Sequence, residues 1–238
     1  MYRKYVPFLL FLFFLYGCNG NKQEEKEDVS VFVDLPQLKA EGEITAVTLY
    51  SSTSYFQYKM QPMGYEYDLI NDFAKSQGLK LNIKVAENPA RLIEMLEAGE
   101  ADVVAYPIPI NNKLKQEVIY CGREDISSQV LIQRANKGDK LLTDVTQLID
   151  KNVYVKPNTK YSERLKNLDE ELGGGIHIQK VENDSIATED LIEMVSLGEI
   201  PYTISDDNTA RLNKTYYWNI NVDLKVSFPQ RSSWGVRT

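Results

Sequence analysis

The sequence predicts an α/β protein of two similar lobes, each a small parallel-rich sheet with crossover helices, joined by a hinge that leaves a cleft. Three observations carry this. From Gly42 onward helical and strand-like segments alternate, the pattern of parallel strands joined by crossover helices. The stretch Leu92-Ile93-Glu94-Met95-Leu96-Glu97-Ala98-Gly99-Glu100 recurs as Leu191-Ile192-Glu193-Met194-Val195-Ser196-Leu197-Gly198-Glu199, offset by 99 residues and identical at six of nine positions. An offset that long is no solenoid period and suits two lobes built alike. Finally, 238 residues with 43% hydrophobic and 26% charged side chains suffice for one large domain or two small lobes. The same composition excludes a disordered, collagen-like or disulfide-stapled chain.

The first residues read as an export signal. Arg3 and Lys4 precede an apolar run from Val6 to Tyr16, too short for the roughly 20 residues of a bilayer-spanning helix but suited to a secretory signal. The run ends in Leu15-Tyr16-Gly17-Cys18, which resembles the bacterial lipoprotein signal, where the Cys after a small residue receives lipid and becomes the new N-terminus. Residues 1–17 are therefore expected to leave, and 18–41 to follow as a lipidated Cys18 and an acidic, aperiodic tether. Acidic residues so close to the Cys resemble the surface-export signals of Bacteroidota lipoproteins. The expected location is the bacterial cell envelope, lipid-anchored to the outer membrane and facing the periplasm or the cell surface. Cys121 is then the one remaining thiol, unable to form an internal disulfide and expected to pack in the first lobe.

Residues 42–127 are assigned to lobe 1. Residues 44–50 read as a first strand. Residues 66–77 form a helix with Leu69, Ile70, Phe73 and Ala74 on one face, stopped by Gly78. Leu79, Leu81, Ile83 and Val85 alternate as a strand, and Asn88-Pro89 opens a helix that closes at Gly99 before a strand at 102–106. Residues 125–132 cross into lobe 2, residues 128–226, without a long linker. There strands are expected at 152–155, 176–181 and 202–205, and helices at 160–172 and 188–197. The helix-Gly-strand of 65–85 has a weaker echo at 161–181. Residues 222–228 and 234–236 read as strands, with 227–238 a partial return to lobe 1. Two crossings between lobes allow closure by hinge bending.

Little in the chain points to catalysis. A net charge of −7 argues against a nucleic-acid partner. His177, the single His, alternates outward in its strand, which excludes a His-containing metal cluster and any Ser-His or Cys-His pair. Glu66/Asp68 and Asp206-Asp207 sit at a helix start and a strand end, where acids more often serve the helix dipole than one substrate atom. Gly173-Gly174-Gly175 lacks the Lys-Ser/Thr of a phosphate loop and reads as a turn. Tyr55 and Tyr58, in the loop after the first strand, lie at the carboxyl ends of parallel strands, where such sheets bind ligands, and Ser54, Tyr55, Thr159 and Asp206 are the expected ligand-binding residues. No catalytic residue, metal ligand or cofactor is expected.

Gly64-Tyr65-Glu66-Tyr67-Asp68-Leu69, Leu96-x-x-Gly99-Glu100-Ala101-Asp102-Val103 and Glu199-x-x-Tyr202-Thr203-Ile204-Ser205-Asp206 together resemble the bacterial extracytoplasmic solute-binding proteins of the amino-acid-binding type, family 3. The resemblance covers about residues 42–237 and implies a type II periplasmic-binding-protein-like fold. Within it, Pro62–Leu69 and Gly198–Asp206 are most similar to the solute-binding module of the membrane-bound lytic transglycosylase F family, in which a lysozyme-like domain with a Glu-Ser motif follows. No Glu-Ser pair occurs here. The resemblance thus implies a binding module without the enzyme, taking a cell-wall fragment or amino-acid-like solute, with a permease or a cell-wall enzyme as a possible partner. It implies that Asp206 meets a ligand ammonium. It also places Leu114, with Pro107 and Pro109 nearby, where the family uses Arg and hydroxyls to hold a carboxylate, which argues against free amino acids. The family's closing helix has no counterpart after Val236, so the return to lobe 1 reads as incomplete. Two other readings stay open: a truncated transglycosylase, and a surface lipoprotein that binds nothing.

Overall fold

The structure, a computed structural model, describes residues 34–183 and 186–238. The signal segment and Cys18 lie outside the described residues. In chain order the elements are α1 (Leu35–Glu41), β1 (Glu43–Thr48), β2 (Phe56–Tyr58), β3 (Gln61–Met63), α2 (Tyr65–Gln77), β4 (Lys80–Val85), α3 (Pro89–Glu97), β5 (Val103–Pro109), β6 (Val118–Ser127), β7 (Gln129–Arg134), β8 (Asn152–Val155), α4 (Lys160–Glu171), β9 (His177–Lys180), α5 (Thr188–Leu197), β10 (Tyr202–Asp206), α6 (Asp207–Lys214), β11 (Ile220–Asn221) and β12 (Gln230–Arg237).

Two five-stranded sheets form, ordered β4-β1-β5-β12-β6 and β11-β7-β10-β8-β9. In the first, β1 runs parallel to β4 and β5; in the second, β8 runs parallel to β9 and β10. The remaining strands pair antiparallel. Thus β1-α2-β4-α3-β5 and β8-α4-β9-α5-β10 are the same unit used twice, and the repeated sequence falls on α3 and α5, each leading into the central strand of its sheet. A single residue, Ser128, separates β6 in one sheet from β7 in the other. Gln129 Nε2 donates to Gln230 Oε1 at 3.0 Å, tying the two crossovers together.

Alternation along the strands sorts the cores. Ile44, Ala46, Val103 and Ala105 pack with Leu38, Ile70 and Ala74, whereas Val47, Val104 and Ile108 face Leu92, Met95 and Leu96 of α3. In the second sheet Leu131, Val153, Val155 and Ile204 meet Leu165 and Leu168 of α4, and Val130, Ile132 and Ile220 meet Leu191, Ile192 and Val195 of α5. Cys121 is half-buried against the α2-side cluster, where burial pushes its thiol pKa up.

Three expectations are corrected. Residues 34–41, read as part of the tether, form α1: Asp34 and Gln37 make a capping box, Gly42 closes the helix, and Leu38 is buried in the lobe-1 core. Residues 222–228 are not a regular strand. Asn221 Nδ2 donates to Asp223 Oδ2 at 2.6 Å while Asn221 Oδ1 accepts the Asp223 N–H at 3.3 Å, an Asx turn that interrupts pairing. Only the Val130–Lys225 bridge and the neighbouring bonds Leu131 N–H to Leu224 O and Val226 N–H to Gln129 O remain. On α2, Ile70 and Ala74 are buried, but Leu69 and Phe73 are 39% and 42% exposed, because the core stripe is centred on the other pair.

Candidate functional site

The site is built at the carboxyl ends of the parallel strands of both sheets, where the loops after β1 and β8, and the ends of β5 and β10, come together. Asp206 is the last residue of β10 and the N-cap position of α6. Its Oδ2 accepts Lys160 Nζ at 2.5 Å and the Tyr161 hydroxyl at 3.1 Å. The Lys160 and Asp206 side chains are 19% and 18% exposed, so the ion pair is largely withdrawn from water. Thr159 caps α4: its Oγ1 accepts the Ser162 N–H at 3.3 Å and donates to the Lys156 carbonyl at 2.9 Å. Its hydroxyl is therefore committed to the helix terminus, and the neighbouring Lys160 is what reaches Asp206. Lys156 Nζ bonds the Asn183 carbonyl.

From the first sheet, the loop after β1 reaches across. The Ser52 N–H and Oγ–H both donate to Glu189 Oε1 in the first turn of α5, at 3.0 and 2.9 Å. Ser54 and Tyr55, expected at the ligand, are instead buried. Ser54 lends its carbonyl to the Tyr67 N–H at 3.1 Å and its own N–H to Ser51 Oγ at 2.8 Å. Tyr55 is packed edge-on against Tyr50 and Tyr67, with ring centroids 5.5 and 5.8 Å away. These residues hold the loop in shape, and Ser52 makes the contact. Leu114, placed by the sequence on a cleft wall, sits in a short 3₁₀ turn whose Leu114 N–H bonds Asn111 Oδ1 at 2.9 Å. Its side chain packs on the α3-side core.

Tyr106, near the end of β5, lies in the field of acids from both sheets. Burial, then Asp206, Glu189 and Glu66, hold its phenol well above the usual tyrosine range. Tyr161 is raised for the same reasons: burial first, then Asp206, Tyr106 and Glu189. Both phenols are therefore neutral hydrogen-bond donors at any physiological pH. Behind them Glu66 is almost fully buried; desolvation raises its pKa, offset in part by the Trp234 indole N–H at 2.6 Å. A register shift in β12 between Ser233 and Gly235 leaves Trp234 without a β5 partner, opposite the stretch where Pro107 has no N–H to offer.

Of the residues expected at a ligand, Asp206 lies in this cluster, beside Lys160 and Tyr161; the sequence did not single out Ser52, Tyr106, Lys160, Tyr161 or Glu189. The Ser51-Ser52-Thr53-Ser54 run after the first strand was a usable signal for donors there. Nothing local marked Tyr106 or Glu189, whose proximity depends on how the two sheets meet. A separate concavity of about 280 Å³, lined by Arg134, Asp139, Lys140 and Pro201 among others, lies at the Tyr202 end of β10, away from these groups.

This architecture defines a type II periplasmic binding-protein fold, two α/β units about a hinge with polar groups gathered where they meet. Residues 44–215 match the bacterial extracellular solute-binding proteins, family 3, and the chain belongs to that family. It is similar to the membrane-bound lytic murein transglycosylase F of Desulfosudis oleivorans, 31% identical over 205 residues covering 84% of this chain and 43% of the relative. It is also similar to that of Pseudomonas fluorescens, 28% identical over 85% of this chain and 41% of the relative. The chain thus spans less than half the length of these curated relatives. Among solved structures it resembles holo ArgBP from T. maritima, with a TM-score of 0.71 at 19% identity, covering 85% of this chain and 86% of that one. It likewise resembles an ancestral amino acid-binding protein, a precursor of cyclohexadienyl dehydratase, with a TM-score of 0.69 at 21% identity over 86% and 85% of the two chains.

Proposed function

We propose that the chain is a lipid-anchored extracytoplasmic module that captures a small polar solute between its two sheets, by preference a cell-wall fragment. The observation that supports this most is the gathering of Asp206, Lys160, Tyr161 and Tyr106 with the Ser52–Glu189 bridge at the carboxyl ends of both sets of parallel strands. That set offers neutral donors, one ammonium and two carboxylates, the equipment for orienting a polar ligand. The solute-binding family to which residues 44–215 belong supports binding as the proposed activity. Thermal-shift and calorimetric titration of the full chain with soluble peptidoglycan fragments and with free amino acids tests it. Binding of a fragment that weakens at least tenfold in Asp206→Ala is expected; no shift with any solute would count against the proposal.

Anchoring rests on the Leu15-Tyr16-Gly17-Cys18 signal. Changing Cys18 to Ala should move the protein from the membrane fraction to the soluble one. Retention in the membrane by the variant would refute the anchor. A second reading, that this module serves a peptidoglycan-cleaving enzyme of which it forms a part, is favoured by the transglycosylase relatives that it covers to less than half. The mass of the native protein in cell envelopes separates the two.

A further inference from the structure

Resting on the solute-binding reading, the geometry points to Lys160 as a specificity determinant, one that turns Asp206 away from ligands bearing a free ammonium and towards ligands presenting an uncharged N–H or O–H, as N-acylated amino acids and sugar-linked peptides do. Asp206 is the acid at the head of the site, and one of its oxygens is already taken by a cation of the chain itself, at 2.5 Å. The pair is no surface accident. Both side chains are about four-fifths withdrawn from water, where breaking an ion pair leaves an uncompensated charge, unlike an exposed pair that water readily replaces. Lys160 is also the first residue of α4, and a cation at a helix N-terminus opposes the dipole. Asp206, with the Tyr161 ring 5.5 Å from the ammonium, offsets that penalty.

A ligand ammonium arriving at Asp206 has two routes, both unfavourable. It can share the carboxylate with Lys160, placing two like charges side by side, or it can displace Lys160 and leave that ammonium without a partner. An uncharged donor meets neither obstacle. Asp206 Oδ1 makes no hydrogen bond among the described residues, and a carboxylate has room for about four. The Tyr106 hydroxyl is also without a hydrogen-bond partner among the described residues and stays protonated, so it can serve a ligand carbonyl. Lys160 keeps donors for a ligand carboxylate or carbonyl while holding Asp206.

Calorimetric titration of the full chain with matched probes tests this: L-alanine against N-acetyl-L-alanine, L-glutamine against N-acetyl-L-glutamine, and N-acetylmuramoyl-L-alanyl-D-isoglutamine. The native protein should prefer the acylated member of each pair by about tenfold or more, the scale of one lost ion-pair partner. Lys160→Met and Lys160→Gln, each checked for a native circular dichroism spectrum and melt, should shift that ratio towards the free amine by a similar factor. A native preference for free amines, or a ratio unmoved in both variants, overturns the role of Lys160 while leaving solute binding intact. Silence of every probe in all three proteins overturns this inference, and a wider solute screen that is also silent removes the solute-binding reading with it.

Discussion

At Gly64 the backbone takes φ +134°, and a Cβ there would lie 2.3 Å from the Ser54 carbonyl oxygen. The close approach is what lets the Ser54 carbonyl cap the start of α2 and shapes the loop that carries Ser52. Gly64→Ala should therefore cost about 2–4 kcal/mol in urea unfolding, from strained φ and overpacking together; a loss under about 0.5 kcal/mol would show that the crossing relaxes freely. Glu66, two residues on, binds its proton more tightly folded than unfolded, because burial raises its pKa above the ordinary 4.5. Its contribution to stability is thus most favourable below about pH 4.5 and declines as pH rises through the raised value. Glu66→Gln keeps an acceptor for Trp234 and removes the charge. The variant should match the native protein at low pH and melt higher at pH 7, by ~2–4 °C for each kcal/mol relieved. A lower melting temperature at pH 7 would show that the carboxylate form is the stabilising one.

Among the elements, α1 decides where the tether stops and the fold begins. If Leu38 is core, Leu38→Ala should cost about 2–4 kcal/mol; no change in the unfolding midpoint would return 34–41 to the tether. The sequence was most legible where one periodicity met a clear stop. Thus 188–197 was read residue for residue, and Asn88-Pro89, Gly78 and the 152–155 strand stand where the pattern put them. It was least legible where local signals were weak or cross-coded. The β2–β3 hairpin turns through Lys59 and Met60, both at positive φ, without the Asn-Gly that would announce it. The α6 helix begins with the acids that read as a strand end, and Leu114, placed by family position, is partly buried against the α3-side core.

At the scale of the whole molecule, the Ser52–Glu189 bridge joins the loop of one sheet to a helix of the other. Ser52→Ala combined with Glu189→Ala should enlarge the radius of gyration of the ligand-free protein in small-angle scattering; an unchanged radius would show that the hinge alone sets the separation. The duplicated unit was legible because repetition survives in sequence, whereas of the candidate site only Asp206 carried a sequence signal. Its other members come from different sheets, and no local pattern encodes which loop meets which. The most direct measurement of the central claim is hydrogen exchange on the full chain with and without soluble peptidoglycan fragments. Ligand-dependent protection is expected in the loop at 50–55, at the start of α4 and around Glu189 and Asp206, together. Protection confined to another surface, or none at saturating fragment, would contradict it.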